Sequence, residues 1–516
     1  MGDRIFVGGG GEGYGTPQEL LLAMGNRHGL IAGATGTGKT VTLQILAEGF
    51  AMEGVPVFLT DIKGDLSSLA AAGDPAAKNH QSFMDRAATI GFDLGYRAFS
   101  TCFWDIFGEQ GHPVRTTVAE MGPLLLSRLM NLTDVQEGVL NIAFRAADDE
   151  GLALLDLEDL QSLLIWCGQN QKELSLRYGN VTTASVGAIQ RALLMLENQG
   201  GALLFGEPAL ALEDLMRTDA DGRGIINILA SDKLMNAPRL YATFLLWLLS
   251  ELFEQLPEVG NPEKPKLVFF FDEAHLLFDD APKILVDKIE QVARLIRSKG
   301  VGVYFITQNP ADVPDSVLAQ LGNRIQHALR AFTTKDRRDL QKAAETYRDN
   351  PAFKTDDAIM EVGTGEAVTS LLDRKGVPQM VERTLIRPPM SQVGPIDVAM
   401  RKNLMAASPM AAKYATRINR ESAHEILAKR AAASAQEEGA AVDTAVPEFK
   451  QARRYDPKAD KAPAPAPKPA SRAGTGKAVT ASGLGEALGS ALVKELKGTT
   501  GRRIVRGIFG TMFRGR

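Results

Sequence analysis

The sequence predicts an α/β protein with a central, mostly parallel β-sheet. Its first unit is a βαβ pattern: the apolar segment Gly29–Ala32 runs through a glycine-rich loop into the helical pattern Lys39–Met52, and a second apolar segment, Val55–Thr60, follows. The crossover in such a unit is right-handed and its two strands are parallel. Continuous apolar runs, typical of strands that are covered on both faces, extend the sheet at Ile225–Leu229, Leu267–Phe271 and Val301–Thr307.

Two more strands and two helices complete the predicted core. Segments 324–332 and 366–372 have strand patterns, and residues 286–299 have a helical one. The apolar segment Tyr241–Leu249 covers nine residues before Ser250 and Glu251 interrupt it. A membrane span needs roughly 20 apolar residues. We therefore expect this segment to be a buried core helix.

Six segments are expected along the 516 residues. The pattern between residues 114 and 200 is helical without strand signals, which indicates a helical insertion in the α/β core. Residues 431–480 are rich in Ala, Pro, Lys and Gly, a composition that favours extended, solvated backbone. The expected order is the first part of the core (1–113), the helical insertion (114–200), the remainder of the core (201–395), a helical extension (396–430), a linker (431–480) and a disordered, basic, amphipathic tail (481–516).

The formal net charge of −4 conceals opposite charges in two parts of the chain. Residues 451–516 contain 14 Lys and Arg against 4 Asp and Glu, which gives this end +10 and leaves −14 on the rest. Such a tail attracts the phosphates of DNA and of anionic lipids alike. Three interpretations stay open: binding to DNA, binding to a protein or an anionic membrane surface, and packing of its leucine stripe on its own core or on a neighbouring subunit.

The sequence favours a cytoplasmic protein. Cys102 and Cys167 are its only cysteines, too few for a disulfide framework and consistent with a reducing compartment. The first residues lack the charged, apolar and cleavable regions of a signal peptide. No targeting segment is therefore expected.

A phosphate-binding loop, the Walker A motif, lies between the first predicted strand and its helix. The motif G-x-x-x-x-G-K-[ST] is matched by Gly33, Ala34, Thr35, Gly36, Thr37, Gly38, Lys39 and Thr40. Backbone N–H groups of such a loop and of the helix N-terminus bind nucleotide phosphates, and glycine lets the backbone approach them. We expect Lys39 to reach the β- and γ-phosphates of ATP and the Thr40 hydroxyl to bind Mg²⁺. The alternative is a glycine turn that caps a helix beside an incidental lysine.

Asp272 and Glu273 follow directly after the apolar run Leu267–Phe271 and match a Walker B motif. We expect Asp272 to hold the Mg²⁺ shell and Glu273 to orient and deprotonate the attacking water. The alternative is that two acidic residues simply begin a helix, where carboxylates are favoured. The phosphate-binding loop in the same chain favours the catalytic interpretation. Together the two motifs predict a Mg²⁺-dependent ATPase.

Other positions near these motifs have open alternatives. Gln308 follows the third apolar run and is expected to sense the γ-phosphate or to orient the water, or to be a polar strand-end residue only. The segment 61–65 (DIKGD) either contacts nucleotide or a neighbouring subunit, or forms a turn that caps a helix. Arg294 and Arg297 lie near a helix C-terminus, where a cation complements the helix dipole without further purpose. His275 is expected to have no catalytic role.

Several long motifs are spread over the body of the chain. They are residues 26–33 (NRHGLIAG), 61–65 (DIKGD), 103–109 (FWDIFGE), 111–115 (GHPVR), 271–275 (FDEAH) and 386–391 (IRPPMS). With them the chain resembles the HerA/FtsK superfamily of hexameric P-loop motors, and more closely the bacterial HerA-helicase-like YjgR family. The resemblance extends over most of the body of the chain.

The resemblance implies a RecA-like core that assembles into a homo-oligomeric ring, a hexamer, with ATP at the subunit interfaces. It also implies an arginine finger from the neighbouring subunit. In related motors that arginine lies eleven residues before the sensor glutamine, and counting back from Gln308 gives Arg297. Such a finger stabilises charge on the transferred phosphoryl group and contributes about 10³ to 10⁵ in rate.

The motifs and the resemblance together predict an ATP-hydrolysing, HerA-like hexameric motor that acts as a DNA helicase or translocase. Two departures keep other functions open. The Walker A motif begins at Gly33, which leaves no room before it for the β-barrel of HerA helicases. The body is acidic, unlike a typical duplex-binding surface. The alternatives are an ATPase that remodels a protein or membrane-associated complex, and a nucleotide-gated assembly factor without DNA translocation.

Overall fold

The computed structural model describes residues 2–278 and 283–444, and its centre is a large β-sheet. The predicted tail (481–516), and most of the predicted linker before it, lie outside the described residues. The strands found in the described part are β1 (Arg4–Gly10), β2 (Thr16–Leu21), β3 (Gly29–Ala32), β4 (Val57–Asp61), β5 (Thr101–Asp105), β6 (His112–Pro113), β7 (Ile226–Ala230), β8 (Leu267–Phe271), β9 (Val301–Thr307), β10 (Asn323–Gln326), β11 (Glu366–Ser370) and β12 (Glu382–Ile386).

These strands form one mostly parallel sheet in the order β2-β1-β12-β11-β10-β3-β9-β8-β4-β7-β5-β6. All neighbours from β10 to β6 are parallel. The four strands at the other end, β11, β12, β1 and β2, are antiparallel to their neighbours. The predicted α/β class with a central, mostly parallel sheet is confirmed.

The predicted strands are present, but some of their ends differ. The prediction of a strand at 324–332 is wrong beyond Gln326, where β10 ends. Its parallel partner β3 ends at Ala32 because the glycine-rich loop begins at Gly33, and the paired register of β10 with β3 ends at Gln326. Strand β4 begins at Val57, two residues later than expected.

Helices pack on both faces of this sheet. Those in the described residues are α1 (Lys39–Met52), α2 (His80–Thr89), α3 (Val118–Leu129), α4 (Asp134–Glu150), α5 (Leu157–Gln169), α6 (Gln171–Tyr178), α7 (Thr183–Asn198), α8 (Gly201–Leu204), α9 (Leu212–Leu215), α10 (Pro238–Gln255), α11 (Lys283–Ile296), α12 (Asp315–Leu318), α13 (Thr334–Ala344), α14 (Thr355–Glu361), α15 (Val398–Ala407), α16 (Met410–Tyr414) and α17 (Ala423–Thr444).

Alternate residues of the central strands belong to two different apolar cores. Phe58 and Phe269 belong to the core that also contains residues of α3, α4, α5, α7 and α10. Leu59 and Phe270, their neighbours in sequence, belong to the core that contains α1. Side chains alternate between the faces of a strand, so an apolar run is buried on both sides.

The helical segment 118–198 forms a layer on the sheet. Its helices α3, α4, α5 and α7 share one apolar core with α10 and with the central strands. Helix α10 contains the segment Tyr241–Leu249 and buries Tyr241, Phe244 and Trp247, so the expected core helix is confirmed. Among the described residues, none of the helices has the length and apolar character that a membrane span needs.

The C-terminal helix is longer than expected. The boundary between the helical extension and the linker was expected at residue 430, but α17 continues to Thr444. This part of the expected linker is helical because residues 431–444 are rich in alanine, the best helix former, and the first proline after them is Pro447.

Candidate nucleotide-binding and hydrolysis site

The loop between β3 and α1 has the backbone that a phosphate-binding loop requires. Gly33, Gly36 and Gly38 all have positive φ angles, of 152°, 78° and 113°. Such angles favour glycine. At Gly33 a Cβ would also lie 2.5 Å from Cβ of His327, a distance that no side chain tolerates. Glycine is therefore needed at this position for two independent reasons.

Lys39 lies inside this loop. Its Nζ donates hydrogen bonds to the carbonyl oxygens of Gly33 (2.6 Å) and Ala34 (3.1 Å). The side chain is buried, and burial lowers the pKa of its ammonium group. The residue before it, Gly38, is the N-cap of α1 and supplies no side-chain cap to the N–H groups of the first turn. A buried cation beside an uncapped helix N-terminus fits the phosphates of a nucleotide.

Thr40 and Asp272 are the expected Mg²⁺ ligands. Thr40 is half-buried in the first turn of α1, and Asp272 is buried directly after β8. Burial, and then the charge of Glu273, raise the pKa of Asp272 to about 6. No Lys or Arg within the described ranges forms an ion pair with it. A buried carboxylate without such a partner fits Mg²⁺, which proteins hold through one or two carboxylates together with substrate phosphates.

Glu273 lies at the centre of a hydrogen-bonded group. Its Oε1 accepts a hydrogen bond from Nζ of Lys63 at 2.8 Å, and its Oε2 is 3.3 Å from Nε2 of Gln308. Burial alone would raise the pKa of Glu273, but the hydrogen bond and charge of Lys63 bring it below its usual value. Nδ1 of His275, a residue for which the sequence predicts no catalytic role, is 3.5 Å from Oε2. The carboxylate is therefore ionised and held by neighbours on both oxygens.

Gln308 connects the two motifs. Its amide Nε2 faces Glu273, and its Oε1 accepts a hydrogen bond from the hydroxyl of Thr35 at 3.4 Å. Strand β9, which Gln308 follows, lies between β3 and β8 in the sheet. The carboxyl ends of three adjacent parallel strands thus bring the phosphate-binding loop, the amide of Gln308 and the acid pair to one edge.

Arg297 lies at the opposite edge of the sheet. It belongs to a short 3₁₀ turn that directly precedes β9, whereas Gln308 directly follows this strand. With a rise of about 3.3 Å per residue, the ends of β9 are roughly 20 Å apart. Arg297 is exposed, and its side chain has no hydrogen bond or ion pair to any residue that the structure describes. It does not take part in the ATP site of its own chain.

The sequence motifs do not predict the contacts of two residues at the site, His327 and Lys63. His327 is buried behind the loop, where its Nε2 bonds the Thr42 hydroxyl (2.8 Å) and its Nδ1 bonds the carbonyl of Glu366 (2.8 Å). Burial lowers its pKa to about 4, so it is neutral. Lys63, in a segment whose role stayed open, contacts Glu273. Strand order was the missing signal, because β10 lies beside β3 and β4 lies beside β8.

The loop, the acid pair and the bridging glutamine define a class of protein, the P-loop ATPases. A family model described as "Helicase HerA-like C-terminal" matches residues 10–516. The chain belongs to this family.

Several solved structures are similar to the chain at low sequence identity. The bacterial conjugative coupling protein TrwBΔN70 is 14% identical, with 77% of this chain and 92% of that chain covered and a TM-score of 0.49. VirB4 of Thermoanaerobacter pseudethanolicus is 15% identical, with 78% and 99% covered and a TM-score of 0.46. The cytoplasmic domain of the Thermomonospora curvata type VII secretion ATPase EccC is 15% identical, with 82% and 32% covered and a TM-score of 0.28. No curated protein matches the chain.

Proposed function

We propose that the protein is an ATP-hydrolysing motor that uses Mg²⁺, works as a homo-hexamer and acts on DNA. The observation that supports hydrolysis, rather than nucleotide binding alone, is the position of Glu273. Its ionised carboxylate is tied through Gln308 to Thr35 of the phosphate-binding loop. A general base and a phosphate cradle that are linked in this way suit attack by water on the terminal phosphate.

The residues have distinct roles in this reaction. Lys39 and the first-turn N–H groups of α1 bind the β- and γ-phosphates, while Gln308 orients the attacking water. Glu273 takes a proton from this water while the water oxygen forms a bond to the γ-phosphorus. At the same time the bond between the γ-phosphorus and the bridging oxygen breaks, and ADP leaves with that oxygen. Thr40 and Asp272 would hold Mg²⁺, which supplies positive charge to the phosphate oxygens when it is bound.

Arg297 has a place in this proposal only if a second copy is present. Its position at the far edge of the sheet separates it from its own phosphate-binding loop. In a ring of identical subunits, a head-to-tail interface can bring this edge to the ATP site of the next copy. There the guanidinium acts as an arginine finger and stabilises the charge on the transferred phosphoryl group.

Family membership is what supports DNA as the substrate, and DNA-dependent turnover tests it. Because phosphate contacts weaken with salt, ATP hydrolysis is measured at low salt without DNA, with single-stranded DNA and with duplex DNA. We expect DNA to increase kcat, and Lys39→Ala to abolish both the basal and the stimulated rate. Turnover that depends on Lys39 and is indifferent to DNA would contradict the DNA motor. It would favour an ATPase that remodels a protein or membrane-associated complex.

A further inference from the structure

Lys63 contacts the proposed catalytic base although it belongs to neither ATP-binding motif. Its ammonium Nζ donates a hydrogen bond to Oε1 of Glu273 at 2.8 Å. The Lys63 side chain is 44% exposed, whereas that of Glu273 is only 5% exposed. A lysine at the surface is thus the ionic partner of the buried acid.

The sheet places Lys63 at this position. Strands β4 and β8 are parallel neighbours, with Leu59 opposite Phe270, so the residues that follow both strands meet at one edge. Asp61 then accepts the backbone N–H of Gly64 at 2.8 Å, which closes a turn around Lys63. Gly64 has a φ of 80°, a value that favours glycine. The backbone of Lys63 is therefore fixed beside Glu273.

The ammonium group of Lys63 is held by the carboxylate of Glu273. Among the described residues, Glu273 is the one hydrogen-bond partner found for its ammonium group. A cavity of about 140 Å³ borders Lys63 and leaves room for other orientations. The other polar side chains that line this cavity are those of Asp61, Gln110, Asp232 and Arg401.

Glu273 in turn needs partners to fix its carboxylate. Its backbone has left-handed angles (φ 48°, ψ 52°), between the end of β8 and a short 3₁₀ turn. Lys63 holds Oε1, and Gln308 approaches Oε2 at 3.3 Å. Without Lys63, the side-chain restraints that remain on the carboxylate within the described part of the chain are Gln308 and the more distant His275 ring.

We propose that Lys63 is a positioning residue for ATP hydrolysis, which together with Gln308 holds the Glu273 carboxylate in the orientation from which it deprotonates the attacking water. The inference rests on the proposed ATPase function. A catalytic group that is misplaced by about 1 Å costs about 10²-fold in rate. Loss of Lys63 therefore acts on kcat, while the phosphate-binding loop and its affinity for ATP stay intact.

The test compares full-length wild type with Lys63→Ala and Lys63→Arg, and Lys413→Met serves as the matched control. Lys413 is 45% exposed and pairs at 2.6 Å with Asp214, which is 12% exposed, so its ion pair has similar exposure and a different location. We expect Lys63→Ala to lower kcat about 10- to 100-fold and to change KM for ATP less than about twofold. Lys63→Arg recovers part of the rate because it keeps the charge and the donors. Lys413→Met retains the wild-type kcat.

Two further readouts separate positioning from general damage. The affinity for a fluorescent ATP analogue should be the same for Lys63→Ala and wild type, and the melting temperature should fall no further in Lys63→Ala than in Lys413→Met, which breaks an ion pair of similar exposure. A wild-type kcat in Lys63→Ala, an equal loss in Lys413→Met, or a loss of ATP affinity instead of turnover would each overturn the proposal. If wild type hydrolyses ATP no faster than Lys39→Ala, the proposed ATPase function itself fails, which is a distinguishable result.

Discussion

At the scale of single residues, two adjacent carboxylates have opposite properties. Burial and the neighbouring charge of Glu273 raise the pKa of Asp272 to about 6, whereas Lys63 brings the pKa of Glu273 below its usual value. Asp272 thus gains from a cation that replaces its lost hydration, and Glu273 stays ionised as a base requires. The two carboxylates thus suit the different roles proposed for them, metal ligand and base, because their surroundings differ.

Gly33 gives a sharp prediction at this scale. An alanine Cβ would lie 2.5 Å from Cβ of His327 at a φ of 152°, so Gly33→Ala must displace the loop or the histidine behind it. We expect the affinity for a fluorescent ATP analogue to fall more than about tenfold, since a displacement of this kind disturbs the loop that binds the phosphates. Gly138→Ala, whose Cβ meets no atom within 4 Å, is the control and should bind as wild type does. Equal binding by both variants would contradict the described loop geometry.

His28 gives the pH prediction. Its Nε2–H donates to the carbonyl of Ala293 (2.6 Å) and its Nδ1 accepts the N–H of Val303 (3.0 Å), so both ring nitrogens are used in the neutral form. Burial lowers the pKa of His28 from 6.5 to about 4. The unfolded chain therefore binds a proton at a higher pH than the folded one, and the stabilisation present above pH 6.5 is lost as the pH falls toward 4.

Urea unfolding of wild type and of His28→Asn tests whether stability is lost in this direction of pH. Asparagine keeps hydrogen-bonding groups at this position but does not titrate in this pH range. Between pH 7.5 and pH 5, the free energy of unfolding of wild type should fall by about 2 kcal/mol more than that of the variant, because the variant lacks the histidine that becomes protonated on unfolding. An equal loss in both proteins would show that His28 is not buried in its neutral form.

The parts of the site that could be predicted from the sequence are those whose residues are close together in the chain. The loop from Gly33 to Thr40 and the pair Asp272–Glu273 are contiguous in sequence, so each could be recognised by itself. Gln308 was placed correctly beside them because parallel strands end at one edge. Lys63 and His327 could not be assigned, since their contacts to Glu273 and Thr42 depend on which strands are neighbours.

At the scale of elements, the antiparallel end of the sheet is tied to α1 by a buried ion pair. Nη1 of Arg387 lies 2.9 Å from Oε2 of Glu48, and the two side chains are 3% and 0% exposed. The other oxygen of Glu48 accepts the backbone N–H (2.9 Å) and the hydroxyl (2.6 Å) of Ser391. The motif at 386–391 therefore anchors the chain after β12 to the helix that follows the phosphate-binding loop.

Arg387→Met tests this anchor. It leaves the Glu48 carboxylate buried without its cation, which costs about 3 to 5 kcal/mol of unfolding free energy. The double variant Glu48→Leu, Arg387→Met removes the unpaired charge and should be more stable than Arg387→Met alone. Urea denaturation measures both. Stability in Arg387→Met within about 1 kcal/mol of wild type would contradict a fully buried pair.

Some elements could not be predicted, for physical reasons. Strand β1 contains Gly8, Gly9 and Gly10, a run that favours loops in sequence patterns. Gly8 and Gly9 are required by close backbone approach: a Cβ at Gly8 would lie 2.2 Å from the carbonyl oxygen of Leu385 in β12, and a Cβ at Gly9 would lie 2.0 Å from that of Tyr14. The length of α17 was missed for a different reason, because alanine is compatible with both a linker and a helix.

At the scale of the whole molecule, the parallel strands separate Arg297 from the residues at the phosphate-binding edge of the sheet. Glu273 and Gln308 lie at the carboxyl ends of β8 and β9, and Arg297 lies at the amino end of β9. Within one copy, the expected site residues therefore lie near the phosphate-binding loop, with the exception of Arg297. The α/β core could be predicted because apolar runs identify its strands, whereas ring assembly depends on contacts between copies.

Mixed assemblies test whether Arg297 acts on a neighbour. Lys39→Ala removes the phosphate contact of one subunit, and Arg297→Ala removes the finger that this subunit offers to the next. Each variant alone should hydrolyse ATP far more slowly than wild type. Co-expressed chains contain interfaces that join an intact loop to an intact Arg297 from another copy, so turnover should rise above that of either variant. No recovery in co-purified mixed oligomers would argue against a finger supplied by a partner.

The most direct measurement is phosphate release from ATP by purified wild type, Lys39→Ala and Glu273→Gln. Glu273→Gln keeps the size of the side chain but removes the base, so it should bind the fluorescent ATP analogue as wild type does and turn over about 10² to 10⁴ times more slowly. Lys39→Ala should lose both binding and turnover. Hydrolysis by either variant at the wild-type rate would contradict the assignment of this edge of the sheet as the site of ATP hydrolysis.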